Sequence, residues 1–292
     1  MIFKGCATAI ITPLTKDGSA VDFDSFKELI KFQLKGGVDA LVFLGTTGAA
    51  STLSMSEREE IVRFALTTVD GRVPVIVGAG SNNTKDAIEN SIKYQKLGAD
   101  GLLHVTPYYN KCTQKGLVEH FGSIAEATTL PIILYNVPER TGLNMLPKTV
   151  EALSRNKSIV GLKEANSNIE QAAEIIKLCP KLMLYSGNDG MTLPIMSLGG
   201  NGVISVAGNI IPDIMSGLCE DFFEGKYEQA QKTQLKLVPL IKALFCETNP
   251  IPVQTALNLM GKTSSGFRLP LTDMSEENEK LLKKELKSFG LI

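Results

Sequence analysis

Residues 131–163, PIILYNVPERTGLNMLPKTVEALSRNKSIVGLK, contain the pattern on which the fold prediction rests. It begins with a short apolar run, passes through a polar turn, and reaches Pro147, which suits the first position of a helix. A second apolar run, at 159–163, ends on Lys163. Nearly continuous apolar runs are typical of parallel strands that are buried on both faces. The stretch therefore predicts one strand–helix–strand unit.

The same alternation extends through most of the chain. Apolar runs of strand length are separated by amphipathic segments of helical length. The eight predicted strands are residues 6–12, 40–45, 73–79, 101–106, 131–136, 159–163, 182–187 and 202–206. Eight repeats predict an α/β fold of the (β/α)8 TIM-barrel type, with a doubly wound open sheet as the competing fold.

Helix-capping residues mark where the predicted helices begin. The predicted starts are Asp22 or Asp24, Ser56 with Glu59 as a capping box, Thr84, Asn168 with Gln171, and Ser275. Beyond about residue 225 the pattern becomes helical only, with Pro239 inside one predicted helix. We therefore expect a catalytic barrel at 1–225 and a C-terminal helical extension at 226–292.

Composition excludes several classes of function. The 292 residues carry 30 Lys+Arg and 31 Asp+Glu, so a net charge of −1 gives no basis for a nucleic-acid partner. No run of about 18 apolar residues predicts a membrane span, and the N-terminus lacks a signal-peptide pattern, so we expect a cytoplasmic protein. Five scattered cysteines and two histidines predict buried thiols, no disulfide framework, no metal and no cofactor.

Polar segments follow several of the predicted strands. They are GTTG (45–48), TPYYN (106–110), YNVP (135–138), KE (163–164) and SGND (186–189). In barrels of this class the active site lies at the carboxyl ends of the strands. The sequence therefore predicts that these segments converge on one site.

Lys163 has two interpretations. The strand can simply reach the surface there, with Lys163 and Glu164 paired in solvent. Alternatively, Lys163 is a Schiff-base lysine, whose pKa must fall from ~10.4 toward ~7–8. Partial desolvation in a barrel mouth lowers the pKa of an ammonium group in this way. Tyr135, at the end of the preceding strand, would then reach a carbonyl group bound at Lys163.

Two further segments can hold carboxylates. GTTG offers hydroxyl and backbone N–H groups without charge, which suits a small carboxylate, although an ordinary glycine-flanked turn would look the same. Arg140 can clamp a second carboxylate through two hydrogen bonds. A solvated surface arginine is the alternative.

Taken together, the motifs resemble a known family. They are GTTG, PYYNK (107–111), YNVPERTG (135–142), GLKEA (161–165), SGND and GVISVAGN (202–209). Over nearly the whole chain the sequence is similar to the 4-hydroxy-tetrahydrodipicolinate synthases, long called dihydrodipicolinate synthases. These belong to the pyruvate-dependent class I aldolases, together with N-acetylneuraminate lyase. The YNVP-x-RTG form, with Arg140, favours the synthases within that group.

This resemblance implies a lyase that condenses pyruvate with L-aspartate 4-semialdehyde to give 4-hydroxy-tetrahydrodipicolinate. That reaction is the first committed step of diaminopimelate and lysine biosynthesis. The resemblance also implies a homo-oligomer, either a dimer or a tetramer built from two dimers. Within the family no metal or other cofactor is needed.

The resemblance also implies a role for individual residues. Lys163 forms the imine with pyruvate, and Tyr135, Thr47 and Tyr109 form a proton relay in which a neighbouring subunit supplies Tyr109. The residues implied in substrate binding are Thr46 and Thr47 for the pyruvate carboxylate, Arg140 for the semialdehyde carboxylate, and Gly187 and Ile204 for backbone contacts.

Two positions depart from the family pattern. Ala49 stands where members usually have Glu, and its small side chain is expected to leave Thr46 and Thr47 less firmly supported. Arg58 stands where lysine-inhibited members typically have His. The other positions of the possible effector site are Ser51, Asn82, Asp86 and Tyr108. A cation at Arg58 disfavours a positively charged inhibitor, so we expect weak or absent inhibition by lysine.

Two other functions compete with the synthase. A related aldolase would keep the imine chemistry and act on N-acetylneuraminate or a 2-keto-3-deoxy sugar acid. A catalytically silent barrel would bind a small acid without forming a covalent adduct. The joint presence of Lys163, Tyr135, Thr47, Tyr109 and Arg140 argues against the silent barrel.

Overall fold

Eight short, buried strands pair in parallel, each with its neighbour along the chain, and the last pairs with the first. The computed structural model describes residues 2–292. The strands are β1 (Gly5–Ala9), β2 (Ala40–Phe43), β3 (Val75–Gly78), β4 (Gly101–Val105), β5 (Ile132–Asn136), β6 (Ile159–Glu164), β7 (Met183–Ser186) and β8 (Gly202–Ser205). Closure confirms the predicted barrel and excludes the open sheet.

Helices follow the strands and then continue beyond the barrel. Those that accompany the barrel are α1 (Phe23–Lys35), α2 (Met55–Val69), α3 (Thr84–Leu97), α4 (Gln114–Ala127), α5 (Pro138–Thr141), α6 (Pro147–Leu153), α7 (Ile169–Leu178), α8 (Thr192–Ser197) and α9 (Pro212–Phe223). The C-terminal helices are α10 (Tyr227–Leu244), α11 (Ile251–Leu259) and α12 (Glu276–Ser288). Helix α10 packs on α9 and on α12. The division at residue 225 stays a prediction.

A bilayer span would need a long apolar helix, and no helix within residues 2–292 meets that need.

Two helix starts differ from the prediction. Helix α2 is capped by Ser54 and Glu57, which exchange hydrogen bonds between side chain and backbone, and not by Ser56 and Glu59. Both pairs have the spacing of a capping box, so the sequence pattern alone does not choose between them. Helix α3 is capped by Asn83, because the hydroxyl of Thr84 is instead hydrogen-bonded to Nδ1 of His120 at 2.9 Å.

The predicted caps of three other helices are confirmed. The Asp22 side chain accepts a hydrogen bond from the Ser25 N–H at 3.0 Å and begins α1. Asn168 and Ser275 cap α7 and α12 in the same way. Burial of every thiol was a wrong expectation, since Cys112 and Cys246 are partly exposed.

The barrel interior forms a core of its own, separate from the layer between strands and helices. At the amino-terminal end of the strands the Phe3 and Tyr185 rings stack with their centroids 4.2 Å apart. The Tyr185 hydroxyl donates to the Phe3 carbonyl at 2.7 Å. This end of the barrel is therefore closed by side chains, as is usual for the fold.

Strand β6 contains one irregularity that bears on the site. Ile132 pairs with Ile159, but Ile133 pairs with Gly161, so the register shifts by one residue. Val160 packs on the interior core, and a Cβ added to Gly161 would also point inward, 3.3 Å from the Tyr185 ring. Two successive inward residues are the signature of a β-bulge. The bulge sets which side chains of β6 face the interior from there on.

Arg268, between α11 and α12, joins the extension to the barrel. Its guanidinium donates to both carboxylate oxygens of Glu57, at 2.7 and 3.0 Å. It also donates to the carbonyls of Gly18, Ser19 and Thr52. The two charge-assisted bonds from Arg268 to the carboxylate lower the pKa of Glu57 to about 2.

We expect Glu57→Gln to lower the free energy of unfolding by ~2 kcal/mol at pH 7, since a hydrogen-bonded charge pair is lost. Glutamine still completes the capping box. The folded-state pKa of Glu57 lies below its ordinary value of 4.5, so its stabilisation is complete above pH 4.5 and disappears as the pH falls toward about 2. Urea unfolding at several pH values measures both effects.

The matched control is Glu28→Gln, which breaks the exposed Lys31–Glu28 pair at 2.7 Å. Solvent-exposed ion pairs contribute little to folding stability, so this variant should change the free energy of unfolding by less than about 0.5 kcal/mol. Equal losses in the two variants would contradict the role assigned to Arg268.

Candidate active site

Lys163 projects into the barrel at the end of β6, directly across from Tyr135 on β5. Its Nζ lies 4.3 Å from the centroid of the Tyr135 ring, and the residue is only 5% exposed. Burial lowers the pKa of Lys163 to about 8; Asp189 opposes this shift and Arg140 adds to it. At pH 7 a pKa of about 8 leaves roughly 300-fold more free amine than a pKa of 10.5. The interpretation of Lys163 as a solvent-exposed partner of Glu164 is therefore wrong.

Asp189, which the sequence reasoning did not single out, is a buried carboxylate near Lys163. It accepts hydrogen bonds from the Ser205 hydroxyl and from the N–H groups of Val206 and Ala207 at 3.1 and 3.0 Å. Burial nevertheless raises the pKa of Asp189 above its ordinary value. Its position in the segment SGND, directly after a strand, was the one signal available.

Glu164 faces the opposite side of β6, toward the helices. Its carboxylate accepts from Asn136 Nδ2 at 3.0 and 3.1 Å, from Gln171 Nε2 at 3.2 Å and from the Asn166 N–H at 2.7 Å. Burial raises the pKa of Glu164 to about 7. Because Asn136 and Glu164 are register partners, this network fixes the ends of β5 and β6 against each other.

The GTTG segment forms a strained loop at the barrel mouth. Leu44 and Ala49, which flank it, have φ values of +54° and +48°, in the left-handed region that few side chains adopt. A Cβ at Gly78 would collide with the carbonyl oxygen of Leu44, so the loop needs glycine beneath it. Strain of this kind is found at functional sites, where neighbouring structure holds it in place.

A cavity of about 320 Å³ opens at this mouth. Three residues of the predicted active site line it, namely Thr46, Tyr135 and Arg140. Three residues of the possible effector site, Ser51, Arg58 and Tyr108, line it as well. Lys163 and Thr47 are buried and do not line it. The cavity thus carries two guanidinium groups beside hydroxyl groups, which suits an acidic ligand.

The three residues of the implied relay do not meet within one chain. In residues 2–292 no hydrogen bond joins Tyr135 to Thr47, and the Tyr109 side chain is 91% exposed on a backbone with φ +68°. Thr47 Oγ1 instead accepts a hydrogen bond from Asn249 Nδ2 at 3.0 Å. Burial raises the pKa of Tyr135, while the nearby Arg140 and Thr46 side chains oppose that shift.

The remaining predicted residues lie around this site. The Gly187 N–H donates to the Glu164 carbonyl at 2.7 Å, and Ile204 is fully buried in the interior core. Asn82 Nδ2 donates to the Tyr108 carbonyl at 3.2 Å, and Arg58 Nε donates to the Leu53 carbonyl at 3.2 Å.

Asp86 is exposed on α3 and does not line the cavity. Across the part of the chain that the structure describes, no group of three His, Cys, Asp or Glu side chains is arranged to hold a metal ion.

The sequence resembles known proteins along almost its whole length. The model of the dihydrodipicolinate synthetase family matches residues 2–289. A 4-hydroxy-tetrahydrodipicolinate synthase from Caldicellulosiruptor bescii is 53% identical over 290 residues, covering 99% of this chain and 98% of the relative.

Two solved structures are similar throughout. Dihydrodipicolinate synthase from Thermotoga maritima has a TM-score of 0.98 at 46% identity, with 100% of both chains covered. The chloride-inhibited dihydrodipicolinate synthase from Acinetobacter baumannii, complexed with pyruvate, has a TM-score of 0.97 at 42% identity, again with 100% of both chains covered. Because the family model matches residues 2–289 and a relative is 53% identical over 290 residues, the chain belongs to the dihydrodipicolinate synthetase family.

Proposed function

We propose that this chain condenses pyruvate with L-aspartate 4-semialdehyde to form 4-hydroxy-tetrahydrodipicolinate, the first committed step of diaminopimelate and lysine biosynthesis. One observation carries the proposal: a buried lysine amine, with its pKa lowered to about 8, lies against a tyrosine at the carboxyl end of a barrel strand. The names of the relatives support the choice of substrates.

The reaction begins at Lys163. Its free amine attacks the keto carbon of pyruvate, water leaves, and a C=N bond joins the lysine to the substrate. Loss of a methyl proton converts this imine into an enamine, whose terminal carbon attacks the aldehyde of the second substrate. The amine of that substrate then attacks the imine carbon, closes the ring and releases Lys163.

The neighbouring side chains bind the substrates and move protons. Tyr135 and Thr47 are proposed to relay protons with Tyr109 during imine formation and enamine formation. Thr46 and Thr47 hold the pyruvate carboxylate, with backbone contacts at Gly187 and Ile204. Arg140 lies at the cavity mouth and receives the carboxylate of the semialdehyde.

We expect rapid pyruvate consumption only when L-aspartate 4-semialdehyde is present. Lys163→Ala should abolish both turnover and the adduct that borohydride traps with pyruvate, because the nucleophile is gone, while the fold survives. The exposed Lys148→Ala is the matched control and should keep both. Coupled rate assays and intact-protein mass spectrometry make these measurements.

The alternatives give different results in the same experiment. Adduct formation without consumption of the semialdehyde would redirect the search to sugar-derived aldehydes. Binding of pyruvate with no adduct would indicate a silent barrel. If borohydride still trapped pyruvate fully on the Lys163→Ala variant, the assignment of Lys163 as the nucleophile would be overturned.

We also propose that the working unit is a homo-oligomer, either a dimer or a tetramer built from two dimers, in which the partner supplies Tyr109. Its 91% exposed side chain on a positive-φ residue supports this arrangement, because strained conformations are kept where surrounding structure imposes them. A residue presented in this way is placed to reach a neighbouring site.

Mixing two inactive variants tests the shared site. After dissociation and reassembly, Tyr109→Phe and Lys163→Ala subunits should regain activity, because a mixed dimer contains one site with both groups intact. Each variant reassembled alone is the control. Absence of regained activity, with mixed dimers demonstrated by sedimentation or mass spectrometry, would contradict a shared Tyr109.

We expect L-lysine to inhibit this chain weakly or not at all. Arg58 lines the cavity beside Ser51 and Tyr108, so a second cation would be placed near a fixed guanidinium. Steady-state rates measured across a range of lysine concentrations test this expectation. Half-inhibition by sub-millimolar lysine would refute it.

A further inference from the structure

The segment between α10 and α11 brings one residue of the C-terminal extension to the barrel mouth. Asn249, in that segment, is only 6% exposed and contacts two of the proposed functional residues. Its side-chain Nδ2 donates to Thr47 Oγ1 at 3.0 Å, and its backbone carbonyl accepts from Arg140 Nη2 at 3.0 Å. One residue thereby connects Thr47, 202 positions earlier, and Arg140, 109 positions earlier.

The two contacts differ in their chemistry. An amide NH2 group only donates hydrogen bonds, so the Thr47 hydroxyl must accept on that side. Its own proton is then free to point elsewhere, toward the relay or a bound carboxylate. The Arg140 contact uses the backbone, so it does not depend on which side chain stands at position 249.

The environment of Asn249 does not suit a residue kept for stability alone. Its Oδ1 is buried and has no hydrogen-bond partner among residues 2–292. An unsatisfied buried acceptor is unfavourable for folding. The side chain is nevertheless held against a hydroxyl of the proposed relay.

We propose that Asn249 is a positioning residue, whose side chain makes the Thr47 hydroxyl a hydrogen-bond donor toward the reacting groups while its backbone carbonyl holds Arg140 at the cavity mouth. This inference rests on the proposed function. It assigns the C-terminal extension a part in catalysis, although no atom of Asn249 need touch substrate.

Asn249→Ala tests the side-chain contact. Without the donor, Thr47 loses its fixed orientation, so kcat and the exchange of pyruvate methyl protons with D2O should each fall by about 10-fold or more. KM for the semialdehyde should stay within about twofold, because the acceptor for Arg140 remains. Arg140→Ala should instead raise the KM for the semialdehyde.

NMR of pyruvate in D2O, without semialdehyde, measures the exchange of the methyl protons.

Asn249→Asp keeps the shape of the side chain and replaces a donor with an acceptor. At neutral pH the carboxylate should take the Thr47 proton for its own hydrogen bond, so exchange should slow in this variant as well. It therefore tests the direction of the hydrogen bond even where the alanine variant folds poorly. Exchange at the parent rate in a folded Asp variant would overturn the inference.

A double-mutant cycle shows whether Asn249 acts through Thr47. Thr47→Val and Asn249→Ala together should be no slower than Thr47→Val alone. Fully additive losses would mean that Asn249 acts by another route and would overturn the inference.

Asn258→Ala is the matched control for folding. Asn258 also lies in the extension and its side chain bridges Thr263 and Ser265. This variant should lose thermal stability while keeping the kinetic constants of the folded protein. If Asn249→Ala behaves in the same way, its role is only structural and the inference fails.

The failure of the proposed function is distinguishable from these outcomes. If the parent chain exchanges pyruvate protons but does not consume the semialdehyde, the choice of second substrate is wrong and the exchange test of Asn249 still stands. If the parent chain does not exchange them, the imine chemistry itself is wrong.

Discussion

The bulge at Val160 sets the register of β6 and thereby the direction in which Lys163 points. Because side chains alternate along a strand, a shift of one residue exchanges the inner and outer faces. The shift pairs Tyr135 with Lys163, so that the lysine projects into the barrel interior and Glu164 projects toward the helices. The glycine at position 161 permits this shift in register, because a Cβ there would press against Tyr185 and Ile133. A regular strand would place Lys163 among the helices, far from the cavity.

Burial then determines the chemistry of the charged groups on these strand ends. The same loss of water that lowers the pKa of Lys163 raises the pKa values of Glu164 and Asp189. Buried ionisable groups weaken the folded state unless hydrogen bonds compensate them, and both carboxylates accept several. The barrel thus raises the fraction of Lys163 that is a free amine at neutral pH by means of an environment that is otherwise unfavourable for stability.

The C-terminal extension completes the barrel mouth. Arg268 ties it to the start of α2, and Asn249 brings it to Thr47 and Arg140. The adjoining GTTG loop is closed by the Ala49 N–H, which donates to the Thr46 carbonyl at 3.0 Å, and by the Thr52 hydroxyl, which donates to the Ala49 carbonyl at 2.9 Å. The first of these contacts involves Thr46 and neither reaches Thr47, so weaker support of the two threonines by Ala49 stays a prediction.

From the sequence alone we could predict the eight strands of a barrel, the caps of three helices and a lysine at a strand end, because periodicity, capping and turn preferences act over a few neighbouring residues. The folded structure was needed for the choice between Ser54 and Ser56 as a cap, for the inward direction of Lys163, and for the positions of Asp189 and Asn249. Each of these depends on register or on partners far away in the chain, such as the 202 positions between Asn249 and Thr47. No local pattern encodes contacts of that range, since they form only when the barrel closes and the extension folds across its mouth.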